Sequence, residues 1–397
     1  MDFELSAEQQ GWQTVARQFA QHEVAPLART SDERRIFSRE LVHRMGALGL
    51  LGGPLERAYG GSGMDFVSFA LVAEELGRVD SSVRGFLTVQ AGLVTLCLRQ
   101  WGSEEQRQRY LPGLAGGQLI GCYCLTEPEA GSDAASIQTT AREDGGDYIL
   151  NGEKVWITNG GVADIAIVMA TRDAAERHRG ICAFLVPTDT PGFVREPMLG
   201  QELGHRGSNH ARLRFADCRV PASALLGQPG EGFKVAMSGL DRGRLGVAAG
   251  AVGVGQACLD ACVTFARERR QFGKRLGDFQ MTQATIADMA AEVEAARLLT
   301  YSAAWLQDRG QPATQATSIA KLFATEIAAR AANEAVTLHG SRGYSNEYPV
   351  ERYLRDIKGM QIYEGASNIQ RIIIARELIG RGRPPPPPPP LGGGGPE

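Results

Sequence analysis

Hydrophobic periodicity changes twice along this 397-residue chain, and the change sets its architecture. From Leu5 to about Gly117 apolar residues recur at helical spacing. Trp12, Val15, Phe19 and Val24 share one face, and Ser6 with Gln9 and Ser103 with Gln106 have the spacing of capping boxes. The stretch that follows reads as strands. "LIGCYCLT" alternates, "YILNGEKVWITN" places an Asn-Gly turn between two strand-like runs, and "ADIAIVMA", "GICAFLVP" and "ARLRFADCRV" are short apolar runs between turn residues. From Phe233 long Ala-rich helical patterns return, with Gly273, Gly310 and Gly340 where they should stop. The pattern predicts a mainly α chain with a central antiparallel β domain: a helical domain over 1–117, a β domain over 118–228 and a helical bundle over 229–380. The tail "RGRPPPPPPPLGGGGPE" (381–397) is low-complexity and expected to be disordered.

Composition narrows the function. A formal net charge of -3 provides no basic field for nucleic acid. No segment is expected to reach the apolar length of a membrane span, and the acidic, amphipathic start is unlike a signal peptide. The seven cysteines are scattered without metal spacing. They read as reduced thiols in a cytoplasmic protein. Cys122 and Cys124 alternate with Tyr123, so they share a strand face as core or pocket lining and are no zinc knuckle. "GAVGVG" (250–255) has the look of a dinucleotide loop, but no strand precedes it, and close helix packing is the expected reason for its glycines.

One acid is placed unusually. In "IYEGASNIQRIIIAREL", Ile369, Ile372, Ile373 and Ile379 recur at helical spacing, and Ser367 with Gln370 has the capping-box pattern that would start the helix. Glu364 then lies outside it, and Gly365 gives the turn the freedom to aim the carboxylate into a cleft. The alternative is an acid that only complements a helix N-terminus.

Four blocks, "YCLTEPEAGSD", "VWITNG", "RERRQFGKRLGDFQ" and "LHGSRGYSNEYPVERYLRDIKGMQIYEGASNIQRI", occur in the order seen in the acyl-CoA dehydrogenase family, which the chain resembles over about residues 1–380. The resemblance implies an N-terminal helical domain, an antiparallel β-barrel domain and a C-terminal four-helix bundle. It also implies a homotetramer that holds FAD without a Rossmann fold, takes hydrogen from the α and β carbons of an acyl thioester and passes electrons to an electron-transfer flavoprotein. Glu364 matches the family's catalytic base, and its own N–H would donate to the thioester oxygen. In water a Glu has a pKa of about 4.3, too low for this task, and an apolar enclosure would raise it. Some branches carry the base at the position of Gly243, which leaves Glu364 as the candidate here.

By the same resemblance Leu125, Thr126 and Tyr123 border the flavin ring, Gly131 and Ser132 lie near the pyrophosphate, and Trp156, Ile157 and Thr158 cover a flavin face and the N5 region. A surface loop is the plain reading of the first block and core packing that of Trp156. Arg269, Phe272, Thr337, Gly340 and Ser341 match contacts to the FAD of a neighbouring subunit. Ser341 stands where the family commonly has glycine, and Ala366 where threonine is common. Ser132, Asp241, Arg244, Tyr363 and Gly365 match positions near the acyl-CoA, with an i,i+3 ion pair as the plain reading of Asp241 and Arg244.

"SSVRGFLTVQAGL" resembles the glutaryl-CoA dehydrogenase branch, where Arg84 would hold a distal carboxylate of the substrate. The plain reading is a helix-start arginine facing solvent. A carboxylated, hydroxylated or other polar short acyl chain is the expected substrate, followed by a plain short or branched chain, carried on CoA or on an acyl carrier protein. Competing functions are a flavin oxidase or monooxygenase of the same fold and a non-catalytic helical binding module.

Overall fold

The computed structural model describes residues 4–380. The proline-rich tail expected to be disordered lies outside them. Seven α-helices come first: α1 (Ala7–Phe19), α2 (Ala25–Arg34), α3 (Arg39–Ala47), α4 (Phe66–Gly77), α5 (Ser81–Leu87), α6 (Leu96–Trp101) and α7 (Glu104–Ala115). Local chemistry starts several of them. Ser6 and Gln9 form a capping box on α1, as Ser103 and Gln106 do on α7. The Asp65 carboxylate accepts from the Ser68 N–H, and that of Asp80 accepts from Ser82 and Val83. A π-helical stretch, Thr88–Thr95, links α5 to α6.

The middle of the chain forms β1 (Gly121–Cys124), β2 (Thr140–Asp144), β3 (Asp147–Thr158), β4 (Ile165–Thr171), β5 (Ile181–Pro187), β6 (Phe193–Pro197), β7 (His210–Pro221) and β8 (Leu225–Leu226). They make one sheet in the order β6-β7-β3-β2-β4-β5-β8, with β1 added on β4. Two expectations need correction. The sheet is mixed, because β1 runs parallel to β4. Asn151-Gly152 is not a hairpin turn either: β3 runs through it with a bulge, since β7 pairs along its length, and the chain reverses at Gly145-Gly146. A Cβ at Gly152 would lie 2.6 Å from the Thr139 Cα, so close approach explains that glycine. Cys122 and Cys124 do share a face, with sulfurs 3.6 Å apart in the core.

The last part contains α8 (Gly232–Glu268), a small hairpin of β9 (Arg270–Gln271) and β10 (Lys274–Arg275), α9 (Gln280–Asp308), α10 (Thr314–His339), α11 (Val350–Met360) and α12 (Ser367–Ile379). Gly310 and Gly340 follow helix ends as expected, whereas Gly273 sits in the β9–β10 turn, beyond the end of α8. The 250–255 glycines lie inside α8. A Cβ on Gly253 would meet the Glu74 carbonyl at 2.2 Å, and one on Gly77 the Gly250 carbonyl at 2.6 Å, so these residues let α4 and α8 approach backbone to backbone. Contrary to expectation, Ser81–Trp101 and Gly232–Glu268 have the length and apolar character of membrane spans. Of their most apolar stretches 89 % and 72 % are buried inside the protein, so that character serves packing.

Candidate active site

A cavity of about 130 Å³ opens where the three parts of the chain meet. Arg84, Thr88 and Leu93 reach it from α5 and the π-helical stretch; Tyr123, Leu125 and Thr126 from the end of β1; Trp156, Ile157 and Thr158 from the end of β3; and Tyr363 and Glu364 from the turn before α12. Residues 280 positions apart in sequence thus face one small volume.

The α12 turn is built differently from the predicted capping box. The helix is capped by Ala366 without a side-chain bond, and the Ser367 hydroxyl instead donates to Glu326 at 2.6 Å. The Gln370 side-chain amide turns back to donate to the carbonyls of Glu364 (3.1 Å) and Gly365 (2.8 Å). Both Glu364 (φ 54°) and Gly365 (φ 91°) are left-handed. For a glutamate this costs on the order of 1 kcal/mol, a strain of the kind found at functional sites.

That turn points the Glu364 carboxylate inward, where Oε2 is buried without a hydrogen-bond partner among the described residues. Burial pushes its pKa up to about 7, against the pull of Arg84, Lys321 and Arg244. Space for it comes from α8: a Cβ at Gly243 would stand 2.0 Å from Oε2. The missing side chain of Gly243 is therefore what admits the Glu364 carboxylate.

Arg84 does not face solvent. It is 1 % exposed, lies across Gly250, and donates from Nη2 to the Tyr363 hydroxyl at 2.5 Å and from Nη1 to Thr88 at 3.3 Å. Its Nε has no hydrogen-bond partner among the described residues. Trp156 is not core. A bulge between Lys154 and Ile157 sets it at φ 58° and leaves it 48 % exposed at the cavity. The loop after β1 is anchored below by a buried ion pair: Lys154 donates to Glu127 (2.7 Å) and to the Leu125 carbonyl (3.1 Å).

Other predicted residues lie elsewhere. Gly131 and Ser132 are exposed on the loop beyond the cavity. Asp241 and Arg244 do not line it and form the i,i+3 ion pair with each other. Arg269 lines a second, larger cleft of about 680 Å³ with Arg270, His339 and Arg342. Phe272, at φ 50° on the hairpin tip, is 93 % exposed. Thr337 and Ser341 are exposed at the end of α10, and Gly340 is its left-handed cap. Within one chain these five are not brought to Glu364.

Several groups at the site were not read from the sequence. His205 and His210 line the cavity, and burial drives their pKa values down to about 3 and about 4, so both are neutral. Lys321 lies beneath Glu364. Its signal was available: it falls on the buried stripe Thr317, Ala324 and Ala328 of α10, where a lysine is out of place.

The residues at the cavity suit a flavin ring. Thr126, Trp156 and Thr158 line the cavity together, Phe272 is exposed, and the second cleft carries Arg78, Arg269, Arg270 and Arg342 beside Glu75, Asp260 and Glu268.

Family models for the N-terminal, middle and C-terminal domains of acyl-CoA dehydrogenase match residues 6–118, 122–218 and 230–379. A probable acyl-CoA dehydrogenase of Bacillus subtilis, YngJ, is 46% identical over 96% of this chain and 100% of its own length. Butyryl-CoA dehydrogenase from Megasphaera elsdenii superimposes with a TM-score of 0.93 at 40% identity, covering 96% of this chain and 100% of that one. A glutaryl-CoA dehydrogenase in complex with glutaryl-CoA gives 0.92 at 39% identity, over 96% and 97%. With the helical, β, helical order and the buried carboxylate already in place, these matches establish that the chain is an oxidoreductase of the acyl-CoA dehydrogenase family.

Proposed function

We propose that the protein dehydrogenates a short acyl-CoA carrying a carboxylate or another polar group at its far end, with Glu364 as the base. The observation that carries the reading is the buried, unpartnered Glu364 Oε2 at a cavity that also holds the buried Arg84. An α C–H beside a thioester is a weak acid. Its removal needs a base of matched pKa and a donor to the carbonyl oxygen. Glu364 meets the first need near neutral pH. Its N–H, which donates to no backbone carbonyl among the described residues, is the chain's own donor for the second.

FAD is the cofactor and supplies the hydride acceptor for the β hydrogen. Tyr123, Leu125, Thr126, Trp156, Ile157 and Thr158 would hold its ring, with Gly131 and Ser132 toward the pyrophosphate. Arg269, Phe272, Thr337, Gly340 and Ser341 would serve the FAD of a neighbouring subunit, which supports a homotetramer. Arg84, which lines the cavity, would meet the distal group of the acyl chain, and the neutral His205 and His210 add polar edges without a competing positive charge. Ser132, Asp241, Arg244, Tyr363 and Gly365 remain the residues assigned to the acyl-CoA. The thioester is carried on CoA or on an acyl carrier protein, and an electron-transfer flavoprotein is the acceptor. Buried cysteines without disulfides support a cytoplasmic enzyme.

The test is anaerobic mixing of the yellow holoenzyme with glutaryl, butyryl and isobutyryl thioesters. Bleaching fastest with glutaryl is expected, and the absence of bleaching with every thioester refutes the reading. Peroxide formed in stoichiometric yield in air would instead support an oxidase.

A further inference from the structure

Three cations bear on Glu364, and they are differently engaged. Arg244, from α8, is paired with Asp241. Arg84, from α5, serves the Tyr363 hydroxyl and Thr88. Lys321, from α10, is 0 % exposed and donates from Nζ to the Gly365 carbonyl at 2.8 Å. Taking an ammonium out of water costs several kcal/mol, and an apolar side chain of similar length would fill the same space. A lysine here therefore does something that packing does not require.

Its bond falls on the left-handed pair. The Gly365 carbonyl accepts from both Lys321 and Gln370, and the Glu364 carbonyl from Gln370, so donors on two helices hold the turn. Of the other polar groups facing this region, the Tyr123 hydroxyl on β1 is committed to the Ala236 carbonyl at 3.0 Å, and Glu326 accepts from Ser367. The groups acting on Lys321 itself are Glu364, Arg244 and Glu326.

We propose that Lys321 is a positioning residue: it locks the Glu364–Gly365 turn through the Gly365 carbonyl and keeps a positive charge beside the carboxylate. The inference rests on Glu364 as the base. Burial brings the Lys321 pKa down to about 8, opposed by Glu364, so at neutral pH the ammonium is retained. Its charge in turn favours the ionised form of Glu364. A purely structural lysine would affect stability and flavin content but would not move the ionisation of Glu364.

The experiment compares the holoenzyme with Lys321→Met, Lys321→Gln and Lys321→Arg. The rate of substrate-dependent bleaching is followed against pH. The Glu364 carboxyl band, isolated by difference infrared spectroscopy against Glu364→Gln, gives the same midpoint without turnover. In the Met and Gln variants the midpoint should rise by on the order of one pH unit, and in Arg it should stay. The limiting rate at high pH should fall roughly 10- to 100-fold in Met, from a misplaced base, and less in Gln, which keeps an N–H donor. Should Met fail to fold, Gln carries the same reading. An unmoved midpoint in the Met or Gln variant overturns the proposal. Glu364→Gln separates the two levels: if it keeps the wild-type rate, the base assignment itself falls. If it is inactive while the Lys321 variants match wild type, only the role of Lys321 falls.

Discussion

Glu364→Gln should make the protein inactive and, above neutral pH, more stable. The carboxylate has an ordinary pKa of 4.5 and is pushed up to about 7 by burial in the folded chain. Between these values the native state binds more protons than the unfolded state, so stability falls as pH rises. The full loss is reached above about pH 7. A difference of about 2.5 pH units at about 1.36 kcal/mol each comes to roughly 3 kcal/mol per protomer. Glutamine has nearly the same shape and cannot ionise. The stability of the variant relative to wild type should therefore grow by roughly 3 kcal/mol from about pH 4.5 to about pH 8. Urea unfolding of the flavin-saturated proteins, without substrate, at a series of pH values measures this difference. The three nearby cations oppose this effect. If Arg84, Lys321 and Arg244 outweighed desolvation, the folded pKa would sit at or below 4.5 and the difference would be flat or inverted. Either result refutes the argument that an unpartnered buried carboxylate is the source of the base strength.

Gly243→Ala places a methyl 2.0 Å from Glu364 Oε2, at the far end of a flexible side chain, in a helix that otherwise favours alanine. The methyl also stands 2.8 Å from the buried Leu93 Cδ2, so the carboxylate and Leu93 must both shift: turnover should fall on the order of 10²-fold and overpacking should lower stability by about 1–2 kcal/mol net of the helix gain, as stopped-flow bleaching and urea titration will read. Arg84→Met should lower the ratio of glutaryl to butyryl kcat/KM by roughly 2–5 kcal/mol, the range for removing one buried partner of a charge pair. Any effect passed through Glu364 cancels in that ratio, so an unchanged ratio excludes carboxylate recognition by Arg84. Phe272→Ser removes an aromatic side chain that is 93 % exposed on a hairpin tip. Sedimentation should show subunit association weakened by about 1.5–3 kcal/mol, the value of burying one such side chain, with loss of flavin absorbance. Unchanged assembly and flavin content would remove Phe272 from the subunit contact.

Much of the architecture was written locally. The capping boxes at Ser6 and Ser103 and the strands from "ADIAIVMA" and "GICAFLVP" form where short-range spacing put them, because caps and alternation act over a few residues. The glycine-flanked acid was legible too, since a left-handed turn needs a residue such as Gly365 close by. Where local rules competed with distant partners, the partners won. Asn151-Gly152 became a bulge because β7 offered a full ladder. Ser367 left its capping role for Glu326, on another helix, and Gln370 turned to the carbonyls of the turn it follows. The properties that matter for chemistry were of this second kind. The basicity of Glu364 comes from the water excluded around it in the gap left by Gly243, and the charges of Arg84, Arg244 and Lys321 hold it down to about 7. These residues lie up to 280 positions away in the chain, and only folding brings them within range of one carboxylate.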